Sequence, residues 1–409
     1  MIHSITFRRW KSFLDTTLYL DQMMVLIGMN ASGKSNVLDA LSLLKALADG
    51  EELQEALGNL RGGAEWCVLQ GYGSFELEVE IHQNEMDNIQ EKYIYTIRIN
   101  VKNNIYIEYE SLELYEEKDK GLFLYRTETN NDDSNIFRLD ILSENNSYDK
   151  IGITTSGESI LSQVFKINDN KLVNSTIKYI IQIFRNIFVF DPIPNRMRSF
   201  SKISSLLIKD GSNISGIIAS FDEEFRKGLQ KQISDYITRL PEHDVGKVWV
   251  EKVGKFNSDA MIYCEETWPN GQTFTIDTRG MSDGTLRFLA ILTALLTRPE
   301  GSNLIIEEVD NGLHPSRAKL LLEMLREIAV KRNIDVLVTT HNPALLDAMT
   351  PDYIGFITVA HRNPQGYSEL TLLDELDALP KLLASGGVGY LATTGKLDQA
   401  IEAEQEQGE

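Results

Sequence analysis

The stretch MMVLIGMNASGKSNVLDALSLLKALADG, residues 23–50, holds an apolar run, a glycine-bounded loop and an amphipathic repeat in immediate succession. Met23 to Ile27 reads as a buried strand that stops on Gly28. From Lys34 onward, Val37, Leu38, Leu41, Leu44, Leu47 and Ala48 recur at helical spacing, and Gly50 stands where a helix would terminate. Between them Gly28 to Ser35 fits G-x-x-x-x-G-K-[ST] in the strand–loop–helix context that gives the pattern its meaning. Glycines let the backbone wrap a phosphate chain, while amide N–H groups and the helix N-terminus face the anion. Gly28, Asn30, Ser32, Gly33, Lys34, Ser35 and Asn36 are therefore the candidate nucleotide-binding residues. Lys34 supplies a point charge for the β and γ phosphates, and the Ser35 hydroxyl is a magnesium ligand. No N-K-x-D element for reading guanine occurs, so adenine, and hence ATP with Mg2+, is the expected ligand.

Working outward, 409 residues exceed one ordinary core, and the 42% hydrophobic and 24% charged content is that of a globular chain. The net charge of −20 argues against a surface that binds nucleic acid by bulk electrostatics. Arg8, Arg9 and Lys11, then Arg196, Arg198 and Lys202, are the modest basic clusters, and each reads as solvated surface. Cys67 and Cys264 lack the paired spacing of metal ligands, neither is read as a nucleophile, and no signal peptide or 20-residue apolar span is visible, so a cytoplasmic location is expected.

The pattern changes at about residue 72. SFELEVEI, YIYTIRINV and NIYIEYESLELY alternate apolar and polar residues, as antiparallel strands with one wet face do. A polar gap over 129–150 reads as a loop. Residues 157–240 read as largely helical apart from IFVFDPIP, and strand-like VGKVWVEKV and DAMIYCEE follow before helices and strands alternate again over 284–360. The expected division is an ATPase core over 1–70 and 246–362, an inserted β-rich lobe over 71–156, a helical subdomain over 157–245 and a tail over 363–409 ending in frayed acidic residues.

Four later stretches stand in a telling order: GMSDGTLRFLAIL at 280, LIIEEVD at 304, NGLHP at 311 and VLVTTHNPALL at 336. With GMNASGKSNVLDAL and the amino-terminal FRRWKSF, they resemble the ABC-type ATPase heads of the RecF, SMC and OLD (overcoming lysogenization defect) group. The likeness is greatest to stand-alone bacterial OLD-like predicted ATPases, and it covers about residues 1–62 and 278–360. It implies an α/β fold, the ABC-type P-loop NTPase head with a mixed central sheet flanked by helices. It also implies two heads that sandwich two ATP molecules.

By this resemblance Ser282 donates to the γ-phosphate of the opposite head and Gly284 lets the backbone approach, although Ser282 also reads simply as a helix N-cap. Glu307 takes the Walker B position for magnesium, and Glu308 orients or deprotonates the attacking water, the two carboxylates pointing to opposite faces of a strand. His341 is the switch histidine, and Asp310 belongs to the loop that crosses the dimer. Gln70 matches the glutamine that helps ligate magnesium. Trp10 or Phe13 is a candidate for stacking on adenine, set against an ordinary core role. DGSN at 210 and FDPIPNRMR at 190 read first as turns, with Asp210 or Asn213 as a helix cap. Glutamate rather than aspartate at the first acidic position, and VDNG in place of the usual proline and glutamate, depart from the family pattern.

After His341 no D-x-D pair of the Toprim nuclease type occurs, so the chain is not expected to cut nucleic acid by itself. The resemblance implies a homo-oligomer, at least a head-to-head dimer, that regulates a nuclease or toxin effector in antiphage defence. A RecF-like DNA clamp is the alternative, and a small-molecule P-loop kinase is disfavoured by the signature and switch motifs.

Overall fold

The computed structural model describes residues 1–84, 90–115, 121–129, 136–154, 157–164 and 167–408. The chain divides into two compact units, one made of Met1–Asp21, Gly28–Ile187 and Thr358–Leu372, the other of Gln22–Ile27, Phe188–Ile357 and Leu373–Glu409.

The first unit is built on an eight-stranded antiparallel sheet. Its order is β2 (Asp15–Tyr19), β1 (Ile2–Arg8), β4 (Ser74–Asn84), β5 (Gln90–Asn100), β6 (Tyr106–Tyr115), β7 (Leu122–Thr129), β8 (Ile136–Leu142) and β9 (Tyr148–Thr154). The β-rich stretch is thus continuous with the amino-terminal strands, because Ile5 pairs with Val79 and Phe7 with Leu77 in one ladder, all four buried. The loop expected over 129–150 is largely absent from its described part. Ile136–Leu142 is a strand paired with Tyr148–Thr154, and only a short turn joins them, with the Ser143 amide donating to the Ser147 carbonyl. The polar residues around IFRLDIL hid that strand from a compositional reading.

The helices of this unit are α1 (Lys34–Asp49), α2 (Leu53–Gly58) and α3 (Lys171–Arg185). α1 ends as expected at Gly50, whose φ of 81° closes the helix with its N–H on the Ala46 and Leu47 carbonyls. The apolar face of α3 packs on α1. A hairpin of β17 (Ile357–Arg362) and β18 (Ser368–Leu372) completes the unit, bridged to Phe13 at Ser368. The carboxyl of Glu110, fully buried, accepts from Ser159 Oγ, the Ile160 and Leu161 amides and the Tyr95 and Tyr125 hydroxyls, tying the 159–161 turn to the sheet.

The second unit holds neighbouring strands β10 (Ile187–Phe190), β15 (Asn303–Ile306), β16 (Asp335–Thr339) and β3 (Met23–Ile27). β15 with β16 and β16 with β3 are parallel, and their continuous apolar runs are those of a sheet covered on both faces. α6 (Asp283–Thr297) is buried from Gly284 to Leu296, and α7 (Ala318–Arg332) packs against it. A second sheet, β11 (Ser201–Lys202), β13 (Asp259–Thr267) and β12 (Val245–Val253) with β14 (Thr273–Asp277) paired to β13, carries α4 (Ile214–Ser220) and α5 (Glu223–Ile237). The helices expected over 157–245 are therefore shared: α3 belongs to the first unit, α4 and α5 to the second. The carboxy-terminal part forms α8 (Pro343–Asp347), α9 (Leu379–Leu383), α10 (Val388–Thr393) and α11 (Lys396–Gly408). The acidic end expected to fray continues α11 as far as Gly408. Among the described residues no helix is long and apolar enough to cross a membrane.

Candidate functional site

The glycine loop follows β3 in the chain and leads into α1 of the first unit, and its backbone is left-handed at three points: Gly28 at φ 141°, Ala31 at 63° and Gly33 at 116°. A side chain at Gly28 would lie 2.1 Å from the Ala360 carbonyl oxygen, and one at Gly33 would lie 2.9 Å from the Phe13 ring. Glycine is thus required at both ends by φ and by space together. Arg362 braces the loop from outside, donating through Nε and Nη2 to the Ala31 carbonyl at 3.1 and 2.8 Å. Lys34 folds over the loop, its Nζ donating to the Gly28 and Met29 carbonyls at 2.6 and 2.8 Å.

Ser32 Oγ is buried without a hydrogen-bond partner. A buried orphan hydroxyl and an ammonium resting on carbonyls, beside exposed Asn30, are groups that a phosphate chain would satisfy, so these residues fit a nucleotide. Asn36 is engaged internally, its Nδ2 donating to Ser12 Oγ at 2.6 Å and its carbonyl accepting from Trp10 Nε1 at 2.8 Å. Trp10 and Phe13 are both fully buried, Trp10 against Phe75 and Phe13 against Phe7, so neither presents a face to adenine. Gln70 is exposed in the turn that follows Leu69.

In the second unit the acidic pair does not lie on a strand. β15 ends at Ile306, and Glu307 and Glu308 occupy the turn beyond it. Strand alternation is thus not what separates the two carboxylates; the backbone is. Glu308 adopts φ 45°, a left-handed conformation that costs a non-glycine residue on the order of 1–2 kcal/mol. Several bonds hold it there. The Glu308 amide donates to Thr339 Oγ1 at 2.9 Å, and Arg287 Nη2 donates to the Glu307 and Glu308 carbonyls, both at 2.8 Å. The Glu307 amide meets the Phe190 carbonyl at 3.2 Å, and the Val309 amide meets the Thr339 carbonyl at 3.0 Å.

His341 stands just past β16 with Nδ1 3.6 Å from Glu308 Oε1, the side chains 59% and 45% exposed, so this pair is open to a ligand and adds little stability. Asp310 is buried and accepts from Thr340 Oγ1 at 2.6 Å. The turn thus brings together Glu307, Glu308, Asp310 and His341.

Ser282 caps α6, its Oγ accepting from the Thr285 amide at 3.2 Å while donating to Thr285 Oγ1 at 2.9 Å. Gly284 is needed for close approach: a Cβ there would stand 2.9 Å from the Gly312 carbonyl oxygen and 3.2 Å from Arg317 Nη1. Arg198, expected on a solvated surface, braces the segment before the cap, donating to the Thr278, Arg279 and Met281 carbonyls at 3.1, 3.0 and 2.8 Å and pairing with Asp283. Lys11 also departs from that expectation: it is buried against Asp39 at 2.8 Å. Arg8 pairs with Glu76 and Glu78 at 2.6 and 2.9 Å. These basic residues are neutralised within the chain. Asp210 accepts from the Ser212 amide and pairs with Arg196, whereas Asn213 begins α4 without a side-chain cap and ties Leu206 and Ile208 instead.

Burial raises the Cys67 thiol to about 11 and the Cys264 thiol to about 12, which makes both poor nucleophiles. Among the described residues His3, Glu80 and His82 bring three ligand-type atoms within 4.8 Å. Glu80 is already taken by Lys92 at 2.8 Å and His82 at 2.7 Å, so the cluster is a closed polar network. The sequence reading missed Arg287, Thr339, Thr340 and Arg198 as site-shaping residues. Arg287 and Thr339 stood inside the quoted motifs, but nothing in their spacing said what they would bind.

The glycine phosphate loop in its strand–loop–helix setting is one feature of the P-loop ATPase fold of the ABC and SMC type, and the parallel sheet of the second unit, with two acidic residues and a histidine at neighbouring strand ends, is another. A structure described as the SMC head bound to the C-winged helix domain of ScpA superposes on 90% of this chain and 96% of its own, with 14% identity and a TM-score of 0.51. The SMC head domain from Thermotoga maritima matches 91% of this chain and 98% of its own at 13% identity and TM-score 0.45. An SMC head with an extended coiled coil, bound to the C-terminal domain of ScpA from Pyrococcus furiosus, matches 94% and 98% at 10% identity and TM-score 0.46. The likeness of fold rests on the first of these. Residues 23–347 match the family described as "AAA domain, putative AbiEii toxin, Type IV TA system", and the chain belongs to that family. No curated protein is similar to it in sequence.

Proposed function

We propose that this chain binds and hydrolyses ATP, that two copies close around two nucleotides, and that the cycle holds and releases a protein effector, a nuclease or toxin subunit, in bacterial defence against phage. The observation that supports this most is the acidic turn, where Glu308 is held in a strained backbone conformation 3.6 Å from His341. Strain kept at a solvent-open carboxylate points to chemistry rather than to stability.

On this reading the loop amides from Gly28 to Asn36 and the Lys34 ammonium hold the β and γ phosphates. Ser35 and Glu307 would hold magnesium, with Gln70 as a further candidate, and the bound ion neutralises phosphate charge. Glu308 orients the attacking water and accepts its proton. His341 bonds the terminal phosphate and senses its departure. Ser282 and Gly284 serve the nucleotide of the opposite head, and Asp310 lies on the loop between the two sites.

A protein partner is supported by the family's description, which names a toxin of a type IV toxin–antitoxin system, and by the solved SMC head that carries a domain of ScpA. Direct DNA clamping is weakened by the internal pairing of Arg8, Lys11 and Arg198.

Two variants test the assignment. Lys34→Ala is expected to lose tight ATP binding, and ordinary affinity in a nucleotide titration would overturn the loop's role. Glu308→Gln is expected to bind ATP and accumulate as dimers on size exclusion while turnover falls by about 10²–10⁴-fold. Wild-type turnover in that variant would move the base elsewhere. ATP-dependent, salt-sensitive binding of duplex DNA, with no co-purifying protein, would replace the effector reading by the clamp.

A further inference from the structure

Arg287 is an arginine that should not be buried without a reason. It sits one turn inside α6, is 3% exposed, and desolvation lowers its pKa from the ordinary guanidinium value. Asp191 lies 3.9 Å away, and its charge, with those of Asp310, Glu308 and Glu307, only partly offsets the burial. Its Nη donors instead go to three backbone carbonyls: Nη1 to Pro192 at 2.7 Å, Nη2 to Glu307 and to Glu308 at 2.8 Å each. Two adjacent carbonyls can share one Nη2 only when the peptide between them is turned, and the turn in question is the one that sets Glu308 at φ 45°. Thr339 Oγ1 fixes the opposite edge of that peptide by taking the Glu308 amide. The helix that carries Arg287 begins at Ser282, and its Gly284 packs against the carbonyl of Gly312 in the same acidic turn.

We infer that Arg287 is a positioning residue that aims the Glu308 carboxylate, and that through it the start of α6 and the water-activating carboxylate move as one piece. Glutamate has no intrinsic preference for this backbone conformation, so its orientation is borrowed from the guanidinium. A displacement of α6 at Ser282, where the opposite head's nucleotide is read, would be transmitted to the two carbonyls and hence to Glu308. Lysine cannot replace the function fully, because one ammonium cannot present two fixed donors to both sets of carbonyls. The inference rests on the hydrolytic role proposed for Glu308.

The test measures turnover and nucleotide affinity together in wild type, Glu308→Gln, Arg287→Gln and Arg287→Lys, with far-UV dichroism as the check on folding. Arg287→Gln is expected to keep nucleotide affinity within about 3-fold and to lose about 10²-fold in kcat, the scale of a reacting group misplaced by roughly 1 Å. Arg287→Lys is expected to fold and to fall between the two. Millimolar guanidinium added to Arg287→Ala is expected to restore part of kcat where methylammonium restores none, a rescue that a merely structural role would not show.

A folded Arg287→Gln with wild-type kcat overturns the inference, as does a loss confined to nucleotide affinity. If Arg287→Gln does not fold, Arg287→Lys decides by the same split between kcat and affinity. If the wild type shows no turnover, or Glu308→Gln turns over like it, the hydrolytic reading itself has failed. If those two behave as proposed and Arg287 variants match wild type, only the positioning role has.

Discussion

The phosphate loop and the acidic turn both depend on left-handed backbone, and the chain obtains it in opposite ways. In the loop two of the three left-handed positions are glycines, Gly28 and Gly33, where the conformation costs little and neighbouring atoms leave no room for a side chain, and the third, Ala31, has its carbonyl held by Arg362. In the turn it falls on Glu308, a residue that resists it, and two distant side chains impose it: Arg287 from α6 and Thr339 from β16. The loop needs amides without side chains, so glycine serves structure and function at once. The turn needs a carboxylate, so the residue is chosen for chemistry and the fold supplies the restraint.

The largest effect expected from breaking this comparison is at the loop. Gly28→Ala would put a Cβ 2.1 Å from the Ala360 carbonyl at a φ of 141°, so both strain and overlap must be relieved by moving β17. A loss of about 3 kcal/mol or more in unfolding free energy is expected by denaturant titration. An unchanged midpoint would show that the loop yields easily and that its glycines are not structurally required.

At the turn the same preference for glycine over alanine is expected, at a position where the chain itself carries neither. With Glu308→Ala as reference, Glu308→Gly is expected to be more stable by about 1 kcal/mol, because glycine takes φ 45° without the cost that alanine meets. Both variants lack the carboxylate, so the comparison isolates backbone strain from chemistry. Alanine equal to or above glycine in stability would mean that the turn is not strained.

The same contrast explains what could be read from the sequence. The glycine loop, α1 with its end at Gly50, the apolar strand runs and the helix after Ser282 were legible because their determinants are local: glycine, a strand run, a 3.6-residue repeat, a cap. The closeness of His341 to Glu308 was implied by resemblance rather than by spacing, and Arg287 was invisible because a guanidinium bound to carbonyls leaves no pattern in the letters. The division of Glu307 from Glu308 was expected from strand alternation, but the strand ends one residue earlier. The basic clusters misled for a related reason: Lys11 and Arg198 look like surface charge until their acceptors, Asp39 and the carbonyls ahead of Ser282, are brought in by the fold. Strand β8 was missed because polar residues flank it, although Leu139 and Ile141 are buried within the sheet.

The smallest effect concerns Ser282, where a local structural role and a proposed distant one coincide on one oxygen. As the cap of α6 it accepts from the Thr285 amide, and its loss in Ser282→Ala is expected to cost about 1 kcal/mol, read as a modest drop in Tm. That result alone would not tell a cap from a phosphate ligand. Ser282→Asn separates them, since asparagine caps a helix as well as serine does but carries no hydroxyl. Stability near wild type with turnover and ATP-dependent dimerisation both reduced would mark the hydroxyl as acting beyond its own helix. Full turnover in that variant would leave Ser282 as the beginning of α6 and nothing more, and the coupling through Arg287 would then have to start from Gly284, whose missing side chain lets the helix rest on the acidic turn.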